Sequence, residues 1–413
     1  MTSLFKGDNV TISLVEEDQG WGKPPSTYAG GKYFQTNDGS FEETRGTIES
    51  EARTSNAQLS GMRLGNKNVT GSFPVEIDPE NYNKLLESSL YGRFKTEGTE
   101  QSLTSAAIFA TKAYELRVPM SSGQQTSLGA KVGNFYQLSG ISAASLQSLA
   151  GVCVLSETTA TELVFYCIEQ LEPTLAATDS DITITPVSTL RPDRQLLSFN
   201  AEETLFSEDG LITARFLTAG CISSGFSLDI QSEAAVTSTF SMLAAGKHPS
   251  KKYEDFDDNL TNSQAAHTAV IPHVNYDPLI IQDGAIISGE ENIRCEWISG
   301  TINLENGTET TFVGCSFDAI GSVSGQLRIT VEYEALFQSE DDFIRFQTEE
   351  SSKLLLKLKD RASEKSLLLY IPNLKLSAYT PNISTGLVTA NISGSAIIDE
   401  AAIDSIIMGA FNG

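Results

Sequence analysis

The sequence predicts an all-β fold class with one or two short helices. Three observations carry that reading. Apolar and polar residues alternate with period two through much of the chain, turn signals separate the alternating runs, and helical periodicity is scarce. Residues 69–77, VTGSFPVEI, put Val69, Phe73, Val75 and Ile77 on one face. Residues 323–333, VSGQLRITVEY, do the same with Val323, Leu327, Ile329, Val331 and Tyr333. Period two with one apolar face is the pattern of half-buried antiparallel strands.

Taken in order, the first strand is expected at Val10–Leu14 and the next at Val69–Ile77. A helix follows over Asp78–Leu90: Asp78 is a good N-cap, Pro79 suits the first helical position, and Leu85, Leu86 and Leu90 form one apolar stripe. Such a lone helix covers one open face or edge of a sheet. Short strands of low charge are expected at Gly133–Leu138, Gly151–Leu155, Leu163–Ile168 and Asp181–Pro186. Leu190–Gln195, LRPDRQ, reads as a linker, with Pro192 discouraging a continuous element. Leu211–Leu217, Gly225–Ile230 and Val236–Leu243 read as three successive strands. Lys247–Gln264 is the most polar segment, basic and then acidic, and predicts a long loop or arm, as does the turn-rich Asp18–Asp38. Strands are then expected at Gly300–Leu304, Val323–Tyr333, Lys353–Leu358, Ser366–Ile371 and Gly386–Ile392, with a short helix near Ser339–Arg345.

The chain has 413 residues, 53 of them acidic and 28 basic, for a net charge of −25. That length suits about two domains, and so negative a surface repels phosphate and disfavours ordinary nucleic-acid binding. No apolar run reaches the ~20 residues of a membrane helix. The start, MTSLFKGDNV, lacks the basic and apolar regions of a signal peptide. Cys153, Cys167, Cys221, Cys295 and Cys315 are odd in number and scattered. They read as free thiols acting as small buried hydrophobes in a reducing cytoplasm, with no disulfide framework or structural zinc. His267 and His273 lie six apart around Pro272 and make a poor metal pair, and His248 stands alone.

The chain also repeats itself. Arg93–Glu97, RFKTE, recurs as Arg345–Glu349, RFQTE, at an offset of 345 − 93 = 252. Val69-Thr70-Gly71 recurs as Val323-Ser324-Gly325 (323 − 69 = 254), and Leu116–Pro119 matches Leu369–Pro372 (372 − 119 = 253). Unrelated strands that share common residues would look similar; a duplicated β domain is the sharper reading. The expected division is 1–125 as a first β domain, 126–190 as a small β module and linker inserted after Pro119, and 191–413 as a second β domain.

A search for catalytic chemistry returns little. GxSxG, GxxxxGK[ST], HExxH and a strand-borne GxGxxG are all missing from the sequence. Asp257-Asp258 and Asp341-Asp342 are adjacent pairs that a solvated acidic surface explains better than acid–base catalysis. Asn306-Gly307-Thr308 reads as turn chemistry, and Trp21 and Trp297 as packing residues rather than a sugar site. No catalytic, metal-binding or cofactor-binding residue is assigned, and no cofactor is expected.

Against that background the chain resembles the tail tube (major tail) proteins of long-tailed bacteriophages. The resemblance starts at Glu16–Pro25, EEDQGWGKPP, similar to the family's acidic-then-Gly-Pro opening, and continues through Ile48–Tyr91, where VTGSFPVEI leads into DPENYNKLLESSL. It resumes at Phe199–Gly246, where Phe206–Phe216, Gly220–Ile230 and Val236–Leu243 look like the family's three-strand meander, and ends with Val323–Leu376. Lys247–Gln264 has no counterpart in that pattern.

The resemblance implies tandem tail-tube-type β-sandwich or barrel domains that contribute sheet to an oligomeric barrel. It implies a structural, non-enzymatic virion protein whose rings stack into the conduit for DNA during ejection. Rings of this family contain six such domains, so a chain with two would form homotrimeric, pseudo-hexameric rings stacked helically. Tape measure and tail terminator or tip proteins are the other implied partners. DNA passes without specific binding, no membrane is engaged, and the tail is of the flexible non-contractile kind, made in the host cytoplasm. The alternative is a β-rich adhesin or carbohydrate-binding virion decoration protein; a tail-associated hydrolase is the third reading.

Overall fold

The structure is a computed structural model. It describes residues 5–411 apart from 24, 28, 35, 37, 51–60, 79–80, 113, 142–150, 169–175, 208–212, 250–267, 271–278, 282–284, 289–290, 293–296, 338–339, 361–364, 384–385 and 402–403. Strands dominate, as the alternation predicts, and among the described residues three short helices accompany them: α1 (Asn83–Leu90), α2 (Ser122–Leu128) and α3 (Asp341–Thr348).

The central feature is an eight-stranded antiparallel sheet. Its order is Phe41–Glu49, Met62–Glu76, Thr237–Ala244, the C-terminal half of Thr213–Gln231, Trp297–Glu305, Arg328–Leu336, Thr389–Ala396 and the C-terminal half of Ser366–Asn382. The expected alternation is realised: Ile329, Val331, Tyr333 and Ala335 point into the core while Arg328, Thr330 and Glu332 are exposed. Val69, Phe73, Val75, Phe226, Leu228, Phe240, Ile302, Leu304 and Ile392 share the same apolar side.

Two strands are too long for this sheet and leave it. Thr213–Gln231 bends so that its N-terminal half pairs with Phe199–Ser207 and Gly246–Pro249. Phe199–Ser207 then carries Phe5–Glu16 and, beyond it, Ala29–Phe34. Ser366–Asn382 does likewise, its N-terminal half lying between Ser352–Lys359 and Ile407–Phe411. The separate strands expected at Leu211–Leu217 and Gly225–Ile230 are thus one continuous strand; Gly220, in the left-handed region at φ 67°, marks the bend between them. A Cβ at Gly220 would come within 2.9 Å of Ala245 and 3.0 Å of Trp21, so the corner needs glycine. Glu17 pins that corner: it accepts from the N–H groups of Gly220 (2.7 Å) and Gly22 (2.9 Å) and from Ser198 Oγ (2.7 Å). Burial pushes its carboxyl above the ordinary carboxylate range, while the three hydrogen bonds pull the other way.

The two bent strands belong to two units with the same backbone register. Phe199↔Cys221 and Ala201↔Thr218 flank a bulge in the first unit; Ser352↔Leu374 and Leu354↔Ile371 flank one in the second, with 352 − 199 = 153 and 374 − 221 = 153. A second bulge also repeats, between Ser223↔Met242 and Gly225↔Ser241, and between Leu376↔Gly394 and Ala378↔Ser393. Thr237↔Glu76 corresponds to Thr389↔Leu336. Both α1 and α3 end on a non-glycine residue in the left-handed region, Tyr91 and Glu349, each at φ 55° (349 − 91 = 258). Bulges bend a strand and fix its twist, so two at matching positions make a specific signature.

The structural repeat therefore runs at offsets of 260 (Glu76 to Leu336) and 258 (the helix ends) before the insertion and of 153 to 152 after it, and 258 − 153 = 105 residues separate the values that flank the insertion. This corrects the expected anchors. Arg345–Thr348 lies in α3, whereas Arg93–Glu97 follows α1. Leu116–Pro119 and Leu369–Pro372 lie in unrelated sheets. Val69 is in mid-strand, whereas Val323 ends the separate two-stranded ribbon Glu309–Thr311/Gly321–Val323. Strand faces reuse a few β-branched and aromatic residues, so short matches arise without structural equivalence.

The insertion opens directly after α1 rather than after Pro119. It forms a closed six-stranded barrel in the order Ala176–Pro186, Gln101–Lys112, Glu115–Pro119, Glu162–Tyr166, Gly151–Thr158, Phe135–Ser139. The expected boundary at 126 falls inside α2, a helix the alternation did not predict. Its Ser121–Gln124 capping box and left-handed Gly129 cap are local, and only Leu128 is buried. The barrel has its own core around Leu116, Leu138, Leu155, Phe165 and Ile184. Phe135, Val154 and Tyr166 on its outer side pack on Leu355, Leu368 and Tyr370 of the second unit. Within the expected linker Leu190–Gln195, Leu190 ends the strand Ser188–Leu190, paired with Ile407–Phe411.

Helix α1 starts later than expected, capped at Tyr82; Asp78 instead accepts the Asn81 N–H at 2.8 Å, and Pro79 lies outside the described residues. Leu85, Leu86 and Leu90 are buried as predicted, whereas α3 buries no residue and leaves Ile344 47% exposed. Cys153, Cys167 and Cys221 are free, buried thiols; the neighbouring Cys153 thiol and burial push Cys167 up, and burial does the same to Cys221. Cys315 is free but exposed, against expectation, and Cys295 lies outside the described residues. Asp18–Asp38 is no free arm: Ala29–Phe34 pairs with Phe5–Glu16. Gly246–Pro249 is a strand, and residues 250–264 lie outside the described residues.

Two predictions follow from this packing. Leu86→Ala should cost about 2–5 kcal/mol of subunit stability, and Ile344→Ala at the matching surface of α3 less than about 1 kcal/mol, read by denaturant unfolding of the isolated chain. For Glu17, the folded state binds the proton more tightly than the unfolded chain. Its contribution is therefore fully present at low pH and is lost as pH rises through the raised folded value. Stability of the wild type relative to Glu17→Gln should fall on going from about pH 4 to about pH 8, and a rise over that range would refute the assignment.

Candidate functional site

The exposed face of the eight-stranded sheet is polar and carries two shallow grooves. One is lined by Asp229, Ser299, Thr301, Glu332, Glu334, Thr380 and Ser393, the other by Ser227, Thr239, Ser241, Asn303, Glu305 and Thr330. These are the residues that alternate with the core positions, so strand geometry places them on one side. Thr301 Oγ1 donates to Asp229 Oδ1 at 2.8 Å and Thr389 Oγ1 to Glu334 Oε1 at 2.8 Å, which orients the carboxylates. Neither groove is lined by a lysine or arginine among the described residues.

The sheet ends in two open edges. Among the described residues Phe41–Glu49 pairs only with Met62–Glu76, and Ser377–Asn382 only with Thr389–Ala396. The backbone of Phe41 is already engaged: its N–H donates to Glu203 Oε1 at 2.8 Å, its carbonyl accepts from Lys247 Nζ at 2.7 Å, and Glu203 and Lys247 form a buried ion pair. Beyond it, among the described residues, no strand pairs with Glu43 and Arg45 on that side. Apolar side chains gather near the other edge, with the Phe343 and Tyr379 rings tilted against each other at 5.5 Å and Ile383 81% exposed.

In the middle of the sheet the equivalent edges are joined. Gly225–Gln231 of the first unit pairs with Ser299–Glu305 of the second. Asn306 locks the joint: its Nδ2 donates to Ser223 O (2.8 Å) and Ser89 O (3.1 Å), the latter at the C-terminal end of α1, and its N–H donates to Ser224 O (3.1 Å). Asn306-Gly307-Thr308 is thus more than a turn. Its sequence signal was the Asn-Gly pair, which Gly307 at φ 61° justifies.

The residues weighed for chemistry do not converge. Asp341 and Asp342 sit in the first turn of α3, where Asp342 meets Arg345 at 3.3 Å and burial pushes its carboxyl up. Trp297 stacks on Tyr333 at 4.8 Å in the core, and Trp21 packs by Gly220. His248 lies 3.6 Å from Asp318; His267, His273 and Asp257-Asp258 are outside the described residues. Among the described residues no group of three or more His, Cys, Asp or Glu side chains could hold a metal ion, and no helix is long and apolar enough to cross a membrane.

The geometry is that of a building block, with two complementary open edges, one polar face and one internal joint between repeated units. No curated protein sequence matches the chain. A family model described as phage tail tube protein matches residues 7–396, nearly the whole length, and on that match and its all-β architecture the chain belongs to the phage tail tube proteins.

Proposed function

We propose that three copies of this chain close into a ring, and that the rings stack into the tube through which phage DNA passes. The two register-matched units act as tandem tube domains. Each chain brings eight strands, so a closed trimer is a barrel of 3 × 8 = 24 strands with pseudo-six-fold symmetry. The observation that carries this reading is the internal joint: the chain already pairs the outer edge of its first unit with the leading strand of its second, and it leaves the matching edges open at both ends. Closure satisfies those edges, which otherwise invite uncontrolled pairing.

The polar face then lines the bore. A wall of hydroxyls, amides and carboxylates repels phosphate at short range, and salt screens that repulsion beyond ~8 Å, so DNA slides rather than sticks. Each chain carries −25 and a trimer 3 × −25 = −75. Assembly must outweigh that repulsion by edge pairing and apolar burial, and it should be easier at higher ionic strength. In this reading the protein resides in the virion tail. Tape measure protein fills the bore before ejection, terminator and tip proteins cap the ends, and the tail does not contract. The adhesin alternative draws no support from the grooves, because neither tryptophan rims them.

Native mass measurement of purified rings should give three chains per ring; six chains per ring, or a bore lined mainly by basic residues in a reconstruction, would overturn the proposal. Rings of wild-type protein should not retain duplex DNA. The double substitution Asp229→Lys/Glu332→Lys should raise retention roughly tenfold or more at low salt and lose that gain as salt rises. Equal retention by both proteins would show that the polar face does not meet DNA.

A further inference from the structure

We infer that the contact between neighbouring subunits repeats the internal joint residue for residue, with Arg45 of one chain seated at the C-terminal end of α3 of the next. This rests on the ring reading above and specifies its interface. The internal joint supplies the register. Phe226 pairs with Leu304 and Ser227 with Asn303. The bulges put Tyr379 and Thr380 at the places of Phe226 and Ser227, at the offset of 153.

On the other strand, Gly71 and Val331 are equivalent, since Glu76 corresponds to Leu336 (336 − 76 = 260). Phe41 pairs with Gly71 and Ile302 with Val331, so Glu43 takes the place of Leu304 and Arg45 that of Asn306. The predicted contact is therefore Tyr379 opposite Glu43, Ala378 opposite Thr44 and Pro381 opposite Phe41.

Two independent features agree with this register. The first is where the ladder stops. Antiparallel residues exchange hydrogen bonds at every second position. The bond from Asn306 N–H to Ser224 O sets that phase in the internal joint. Carried over, it makes Arg45–Ser377, Glu43–Tyr379 and Phe41–Pro381 the bonding positions. Pro381 has no N–H to give, and it falls opposite Phe41, whose N–H and carbonyl are already held by Glu203 and Lys247. The position with no donor meets the one whose donor and acceptor are already engaged, and the ladder ends with no orphaned donor.

The second feature is charge. Phe41, Glu43 and Arg45 share the core side of their strand. Within the chain Arg45 Nε lies 3.3 Å from Glu43 Oε1 and its guanidinium sits over the Phe317 ring, and at the joint Glu43 and Arg45 would face α3 of the neighbour as Asn306 faces α1. The receiving helix carries Arg345 and, one turn later, exposed Glu349 at its end. Where Asn306 bonds the carbonyl of Ser89, Arg45 would meet the matching carbonyl of Gln347 (89 + 258) and the Glu349 carboxylate. A cation at a helix C-terminus is favoured by the unpaired carbonyls as well as by the acid. The lack of any buried residue on α3 is what a surface awaiting this neighbour looks like.

The test uses full-length protein in a Cys315→Ser background. Thr44→Cys and Ala378→Cys are exposed, non-bonded partners in the predicted register, the geometry in which facing thiols can bridge. Mild oxidation of assembled rings with a small disulfide should give covalent trimers on a non-reducing gel, while Glu43→Cys with Ala378→Cys, one residue out of register, should not. In parallel, Arg45→Glu or Glu349→Arg alone should raise the protein concentration for half-assembly by about tenfold, and the two together should restore it. Rings that form without the Thr44–Ala378 bridge and without charge-swap rescue would overturn the inferred joint and leave the ring reading standing. A wild-type chain that forms no rings would overturn both.

Discussion

The structure is organised by one constraint: every strand edge must find a partner. Within the chain that demand is met at the centre, where Gly225–Gln231 pairs with Ser299–Glu305 and Asn306 ties the new strand to the end of α1. The pairing turns two four-stranded halves into one sheet and sets the angle at which a third half would follow. What remains open at each end is the same pair of edges. A sheet that ends in its own complement has no reason to stop at one chain, and ring closure is the arrangement that stops it without leaving a free edge.

The two faces of the sheet divide the remaining work. Period two forces every strand to present one apolar and one polar row. The apolar row is covered inside the subunit by α1 and by the sheets into which Thr213–Gln231 and Ser366–Asn382 bend. Helix α3 differs from α1 in burying none of its own side chains among the described residues. Leu86 is fully buried while Ile344 is half-exposed, although the two helices end alike. The same fold thus has a finished half and an unfinished half, and the difference marks the side at which a neighbour belongs. The polar row has no such demand, and the absence of lysine and arginine from the lining of its two grooves among the described residues follows the acidic composition of the whole chain.

How much of this was legible in the sequence depends on which physical signal each feature leaves. Alternation leaves a strong one, so Val69–Ile77 and Arg328–Leu336 are visible as strands, and Leu85, Leu86 and Leu90 as a buried stripe. The register match between the two units was not visible. The three sequence anchors pair non-equivalent segments; the register match lies in bulges such as those beside Gly225 and Ala378, and a bulge is a backbone event with no fixed residue signature. Matching Leu116–Pro119 to Leu369–Pro372 failed for that reason. The barrel boundary was missed because Gln101–Lys112 alternates weakly, and α2 because its seven residues carry one buried side chain. Edges leave almost no local signal, since an edge is defined by what is absent. Pro381, a proline in an otherwise strand-like run, was the one residue that could have announced it.

The 105-residue insertion shows how the fold accommodates growth without touching the joint. It leaves the first unit between α1 and Phe199, the connection that needs only three residues, 349–351, in the second unit. A closed barrel is threaded into that connection while both bulges and both registers survive. A closed barrel is also the safest module to add, because it brings no strand edge of its own to compete with the ones that must pair. Its outer residues Phe135, Val154 and Tyr166 cover Leu355, Leu368 and Tyr370 of the second unit, which makes it a clamp between the tandem halves as well as an ornament on one of them. The rule that places the insertion is the rule that shapes the sheet: length can be added wherever backbone hydrogen bonding is closed, and the two places where it is open are kept free for another copy of the chain.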